Sequence, residues 1–269
     1  MSYRENVVIT KATCLADGVF EMWFKTENIA KAAKPGQFIS VYSNDGSRLL
    51  PRPISICRID GDLLRIVYRV AGKGTLEFSQ MKEGESLDIQ GPLGNGYDLE
   101  TIFEQVEKTA GKKPEKAILF GGGIGVPPML ELAKAVSEQT SCRAQAVMGY
   151  RDSQMFLKDE FEEYAEVTAA TEDGSAGVKG NVLDAVRESS ITGDVIFACG
   201  PTPMLRAIKA YAEEQGVEAY ISLEEKMACG IGACLACVCQ SKDKDEHSQV
   251  HNKRVCKEGP VFNAKEVEI

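Results

Sequence analysis

The chain has 269 residues, 43% hydrophobic and 26% charged, enough for about two domains of ordinary globular composition. Lysine and arginine number 31 against 40 aspartates and glutamates, so the net charge of −9 excludes a general phosphate-neutralising role on nucleic acid. The uncharged run 117–130 holds four glycines and two prolines and cannot form a spanning helix of ~20 residues. The opening MSYRENVVIT lacks the apolar core of a signal peptide, so a cytoplasmic location is expected.

The first hundred residues read as β structure. Alternating or apolar runs recur at 6–10, 19–25, 37–42, 54–58, 63–70 and 86–90, separated by turn signals such as Asp17-Gly18, Pro35-Gly36, Asp60-Gly61 and Glu83-Gly84. Closely spaced strands with Gly or Asp turns predict a sandwich or small barrel. Gly91-Pro92-Leu93-Gly94-Asn95-Gly96 breaks the pattern, and a polar, lysine-rich stretch at 107–116 reads as a domain boundary.

The next hundred residues alternate strand and helix. Strands are expected at 117–120, 144–150, 165–170 and 194–198, and helices at 128–138, 158–164, 181–188 and 202–215. Such alternation predicts a parallel sheet with helices on both faces. From Ala219 one strand leads into a loop dominated by cysteine. The domains are therefore set at 1–100 (β-barrel), 101–218 (α/β nucleotide-binding domain) and 219–269 (cysteine module).

Five of the nine cysteines crowd that last segment, and in a reducing compartment such a crowd points to metal or cluster ligation rather than disulfides. Cys229, Cys234 and Cys237 follow C-x4-C-x2-C spacing, and Cys256 follows after 18 residues, which is the plant-type 2Fe–2S pattern. Gly230 and Gly232 allow the backbone to wrap tightly around inorganic sulfur. Structural zinc favours paired C-x2-C knuckles, and only one such pair exists here. Cys239 is expected to point away as a bystander. His247 and His251, not adjacent to a ligating cysteine, read as solvated loop residues. In so short a module Ile231 and Leu235 are expected to stay partly exposed, a patch of the kind that marks interfaces.

Two turns suit phosphate. The strand at 117–120 runs into Gly121-Gly122-Gly123-Ile124-Gly125-Val126-Pro127-Pro128, and the strand at 194–198 into Cys199-Gly200-Pro201-Thr202-Pro203-Met204. Each is a strand end opening a helix, and two of them on one edge of a parallel sheet make a dinucleotide crevice. In the β region, Arg52 between two prolines offers a rigid fork for a pyrophosphate. Ser55 lies two strand positions past Pro53, with a hydroxyl for a ring nitrogen. Val67-Tyr68-Arg69 ends a strand, and Gly72-Lys73-Gly74-Thr75 opens the next element in an anion-friendly turn.

R-P-x-S, G-T, G-G-G-x-G and C-G-P-x-x-M, in that order, resemble the ferredoxin reductase superfamily. The string M-A-C-G-I-G-A-C-L-A-C-V-C resembles the electron-transfer subunits of dihydroorotate dehydrogenase B, and the likeness covers essentially the whole chain. The resemblance implies FAD on the barrel, at Arg52, Pro53, Ile54, Ser55, Val67, Tyr68, Arg69, Gly74 and Thr75. It implies NAD at Gly121, Gly122, Gly123, Gly125, Cys199, Gly200, Pro201 and Met204, with Ser55 and Cys199 as the residues at the reacting rings. It implies a 2Fe–2S cluster on Cys229, Cys234, Cys237 and Cys256. It also implies a partner, an FMN-bearing catalytic subunit that oxidises dihydroorotate in pyrimidine synthesis, joined in a hetero-oligomer, expected to be a heterotetramer. Many superfamily members carry an aromatic where Ile54 stands, and this chain does not. The alternatives are a small flavin/iron–sulfur subunit of an NADPH:ferredoxin or sulfide oxidoreductase, and a non-catalytic zinc-binding interaction module.

Overall fold

The computed structural model describes residues 1–244 and 249–269; His247 lies outside the described residues. The N-terminal region is a closed barrel in the order β1-β2-β5-β4-β3-β6. Its elements are β1 (Tyr3–Ala16), β2 (Val19–Lys25), α1 (Ile29–Ala32), β3 (Phe38–Val41), β4 (Arg52–Asp60), β5 (Leu63–Arg69), α2 (Lys73–Gln80) and β6 (Ser86–Leu93). Closure is the work of β1: residues 3–8 pair with β6, and residues 9–16 pair with β2. One long strand with a shift of register near Ile9 thus serves both edges, leaving no open ladder. Inside lie Ile9, Met22, Phe24, Ile39, Ile56, Leu64 and Ile66, all fully buried.

α3 (Leu99–Ala110) leads into the α/β domain. The polar composition at 107–116 concealed this helix from the sequence reading. Its signals were present: Asp98 caps the Thr101 N–H, Leu99, Ile102 and Val106 form the buried stripe, and Gly111 ends it at φ 74°. There follow β7 (Lys116–Gly122), α4 (Val126–Gln139), β8 (Arg143–Tyr150), α5 (Lys158–Phe161), β9 (Glu166–Thr171), β10 (Val178–Lys179), α6 (Val182–Glu188), β11 (Val195–Cys199), α7 (Thr202–Gln215) and β12 (Glu218–Ser222). The strands lie in the order β10-β9-β8-β7-β11-β12 and pair in parallel. Alternate residues of the central strands feed two cores. Ile118, Phe120 and Ile196 pack with Leu183 and Leu205 of α6 and α7. Leu119 and Phe197 pack with Met129 and Ala133 of α4, in one apolar body with Val19, Cys57 and Val67 of the barrel.

The barrel and sheet are also joined by charge. Arg65 of β5, almost wholly buried, meets Glu21 of β2 at 2.6 Å and Glu160 of α5 at 2.6 Å. Glu131 of α4 accepts the Ile59 N–H at 2.8 Å.

The cysteine-rich tail contains β13 (Val238–Ser241), β14 (Asn252–Arg254), β15 (Val261–Asn263) and β16 (Val267–Glu268). β13, β14 and β16 form a small antiparallel sheet, whereas β15 joins the large sheet antiparallel to β12. The tail also docks on the exit of the barrel, where Asn95 N–H donates to the Gly259 carbonyl at 2.6 Å. Among the described residues no helix is long and apolar enough to cross a membrane.

Candidate functional site

On the barrel, Arg52 opens β4 and its guanidinium lies against the first turn of α2. A side chain at Gly74 would stand 2.6 Å from Arg52 Nε and displace the guanidinium from this position. Arg52 Nη1 donates to the Leu50 and Pro51 carbonyls, which fixes the fork. Thr75 Oγ1 accepts the Ala71 N–H at 2.9 Å and the Gly72 N–H at 3.2 Å, capping α2. A helix start with its unpaired N–H groups beside a fixed guanidinium is an anion cradle. Ser55 and Pro53 are partly or fully open to solvent, whereas Ile54 between them turns into the barrel core. The same pleat divides β5. Val67 faces the α/β domain, while the Tyr68 ring packs in the barrel between Phe20 and Phe78, leaving only its backbone for a ligand.

The two strand-end turns of the sheet meet backbone to backbone. A side chain at Gly125 would lie 2.3 Å from the Cys199 carbonyl, and one at Gly122 or Gly200 would lie 2.4 Å from Met204. A side chain at Gly121 would run into Met148 at 2.6 Å. The glycines therefore close the turns on each other and bring the starts of α4 and α7 to one edge. Along that edge runs a cleft of about 640 Å³, lined by Gly122, Gly123, Pro201 and Met204 of the two turns and by Arg151, Glu172 and Arg187. Arg69 of the barrel also lines this cleft, so a residue expected at the flavin lies beside the Gly122–Gly123 turn. Cys199 is buried on the barrel side of the sheet, and burial pushes its thiol up, further raised by Glu224 and eased by the Ser222 hydroxyl. It is a neutral thiol at physiological pH and forms a wall rather than a nucleophile.

In the tail the four cysteines fall into two facing pairs, Cys229 with Cys234 and Cys237 with Cys256. Among the described residues no group of three or more His, Cys, Asp or Glu side chains is gathered closely enough to hold a metal ion. Pairs of thiols are what two irons require. Gly230 (φ 69°), Gly232 (φ 84°) and Leu235 (φ 57°) turn the chain so that N–H groups reach sulfur. Ile231 N–H donates to Cys229 Sγ at 3.5 Å, Gly232 N–H to Cys256 Sγ at 3.1 Å, and Cys256 N–H to Cys237 Sγ at 3.4 Å. Burial alone would raise the Cys229 thiol, but the N–H groups of Ile231, Cys234 and Ala233 and the Cys234 thiol bring it down to about 6. Burial and the adjoining Cys237 push the Cys256 thiol up to about 12, partly offset by the Gly232 N–H. The donor set fits an iron–sulfur cluster. Cys239 sits on β13 opposite Lys253, packed against the apolar core, and His251 is exposed with Nδ1 2.8 Å from the Lys242 carbonyl.

The chain is 40% identical over 274 residues to the dihydroorotate dehydrogenase B (NAD(+)) electron transfer subunit of Fusobacterium nucleatum, covering 99% of this chain and 96% of that one. It is 41% identical to the subunit of the same name from Listeria monocytogenes, covering 99% of both. The chain belongs to this family. Residues 224–268 match the iron–sulfur cluster binding domain of dihydroorotate dehydrogenase B, and residues 119–210 match the oxidoreductase NAD-binding domain. Among solved structures, a chain of an NADH-dependent reduced ferredoxin-NADP oxidoreductase superposes with TM-score 0.82 at 30% identity, over 97% of this chain and 89% of that one. A ferredoxin NADP+ reductase from Neisseria gonorrhoeae, at 13% identity and TM-score 0.65 over 79% of this chain and 92% of that one, shares the fold. The chain is thus an electron-transfer subunit of the dihydroorotate dehydrogenase B family with the ferredoxin reductase fold.

Sequence reasoning missed three features of this family member's site. Arg69 was assigned to the barrel alone, because a register of pleats does not say which neighbour a strand end faces. The acidic and basic lining at Glu172, just after β9, and Arg187, in the last turn of α6, comes from separate segments with no shared motif. The third is Arg254, whose Nη1 donates to the Gly232 carbonyl at 3.0 Å across 22 residues of sequence.

Proposed function

We propose that the chain carries electrons between the FMN of a dihydroorotate-oxidising catalytic subunit and NAD, in pyrimidine synthesis. It works in the cytoplasm as part of a hetero-oligomer, expected to be a heterotetramer. The proposed domains are 1–100 for FAD, 101–218 for NAD and 219–269 for a 2Fe–2S cluster on Cys229, Cys234, Cys237 and Cys256. One observation carries the reading. A side chain at Gly230 in the cysteine loop would lie 2.9 Å from Ser40 Oγ, and Ser40 pairs with Pro53 beside Arg52. The cluster loop therefore abuts β3, one strand spacing, about 4.8 Å, from the flavin cradle.

Bound FAD would exchange electrons singly with the cluster and in pairs with the nicotinamide. The chain's own residues bind and orient. Arg52 and the first turn of α2 neutralise a pyrophosphate, and Ser55 presents its hydroxyl to the flavin ring. The Gly121–Gly125 and Cys199–Pro201 turns seat the dinucleotide, with Met204 folded over them and Cys199 walling the nicotinamide. The reading is favoured over a ferredoxin- or sulfide-linked subunit by about 40% identity against 30%.

Ile231 and Leu235 are 50% and 61% exposed at the cluster loop, where the partner is proposed to dock. The test is Leu235→Glu with iron content retained. It should abolish NAD reduction by dihydroorotate in the assembled complex while sparing NADH oxidation by a dye on the isolated subunit. Retention of both activities in an intact complex places the docking face elsewhere. A wild-type complex driven by reduced ferredoxin or sulfide and not by dihydroorotate overturns the reading.

A further inference from the structure

The turn that carries Cys256 is closed around one residue. The Arg254 carbonyl accepts the N–H groups of Lys257 at 3.0 Å, Glu258 at 2.9 Å and Gly259 at 3.4 Å. The Arg254 side chain folds back on the same turn: its Nε lies 3.0 Å from both Glu258 carboxylate oxygens, its Nη2 donates to Oε1, and its backbone N–H donates to Oε2 at 2.7 Å. The carboxylate therefore holds the guanidinium as a fork in one orientation. That orientation leaves Nη1 pointing across the loop, where it donates to the Gly232 carbonyl at 3.0 Å.

Gly232 is thus gripped on three sides by the segment 254–257. Its carbonyl is held by Arg254. Its N–H donates to Cys256 Sγ at 3.1 Å. Its α-carbon lies under the Lys257 stem, for a side chain there would stand 2.7 Å from Lys257 Cδ. At φ 84° Gly232 lies in the left-handed region that glycine enters freely, and with no side chain to restrain it its orientation depends on such contacts.

We propose that Arg254 is a positioning residue for the iron–sulfur cluster: oriented by Glu258, it holds the Gly232 carbonyl and, with the Lys257 stem over the Gly232 α-carbon, restrains the rotation at that residue so that the preceding N–H stays on Cys256 Sγ, and so raises the cluster's reduction potential. A hydrogen bond to a ligating sulfur favours the more electron-rich reduced form, so losing it lowers the potential. The inference rests on the reading that Cys256 is a cluster ligand.

A charge-only role makes different forecasts. Arg254→Lys keeps the positive charge but not the fork, so charge alone predicts no shift. Glu258→Gln removes a negative charge beside the cluster, so charge alone predicts a higher potential. Positioning predicts a fall for Arg254→Lys and no rise for Glu258→Gln.

The test is a redox titration of the full reconstituted chain, followed by the paramagnetic signal of the reduced cluster, with iron content measured for each variant. Arg254→Lys should lower the reduced-to-oxidised ratio at a fixed potential about tenfold, or ~59 mV for a one-electron centre. Glu258→Gln should titrate at or below the wild type. Arg254→Lys at the wild-type potential, or Glu258→Gln above it, overturns the inference alone. A wild-type chain that takes up no cluster overturns the cluster reading itself.

Discussion

The barrel and the cysteine-rich tail are held together by opposite means. The barrel closes six strands of four to fourteen residues on a core of its own. The tail has strands of only two to four residues, and its buried side chains, Val255, Phe262, Ala264 and Val267, belong to the core under α6 and α7. One edge strand is lent to the large sheet, and the remaining loop is shaped by glycines and sulfur-directed N–H groups. The barrel thus carries its cofactor cradle on a scaffold that is complete without the cofactor. The tail lacks the apolar area for a core of its own, so its cysteine loop relies on the neighbouring domain and on the cluster it holds.

The largest break in this contrast comes from the ligands. Cys256→Ser should abolish cluster uptake, read as iron per chain, whereas Cys239→Ser should leave iron content intact. Equal losses from both would mean that the ligand set is wrong.

Next is the borrowed core. Phe262 is almost wholly buried on β15, and Phe262→Ala should cost about 3–5 kcal/mol. The loss should appear as faster amide exchange at residues 252–268, with barrel protection unchanged. Parallel loss of barrel protection would show that tail and barrel unfold as one unit.

The reverse experiment strikes the barrel's cradle. Arg52→Ala removes a charge-assisted contact of about 1.5–3 kcal/mol, so FAD should bind roughly 10- to 100-fold more weakly while iron content holds. Unchanged FAD occupancy after dialysis would put the pyrophosphate elsewhere.

The smallest effect sharpens the barrel's side. Burial works to raise the Glu21 carboxyl, but Lys11 and Arg65 outweigh it and hold the group below the ordinary glutamate range. A depressed folded value means that the stabilisation is present above the unfolded value, about 4.3, and is lost as pH falls through the lower folded one. Thermal melts from pH 6 to 3 should therefore fall less steeply for Glu21→Gln than for the wild type. Parallel curves would show that the Arg65 pairs do not feel this proton.

How much could be read in advance depended on the range of the interactions involved. Strand alternation, Gly and Asp turns, and the two strand–turn–helix junctions are local, and apart from the short β10 and β15 the observed strands of the barrel and sheet follow them. Glycine at 74, 122, 125 and 200 was legible as a turn residue. That each glycine makes room for a particular partner, Arg52, Met204 or the Cys199 carbonyl, was not, because the partner is set by how distant segments pack. Helix α3 was hidden by its own glutamates and Lys108 and by the lysines that follow it, although its capping residues and apolar stripe were in view.

By itself the sequence determined the spacing of the four cysteines, the order of barrel before α/β domain, and the glycines that permit close turns, since each is read along the chain without knowing which distant segments meet. Only the tertiary structure decided that β15 completes the large sheet, that Arg69 of the barrel lines the cleft at the two strand-end turns, that Arg65 ties β2 to α5, and that Arg254 grips Gly232. Each of these joins segments between 22 and about 140 residues apart. Hydrophobic periodicity says which face of an element is buried but not against what, and a lone charged residue gives no sign of its partner until the fold brings the two together.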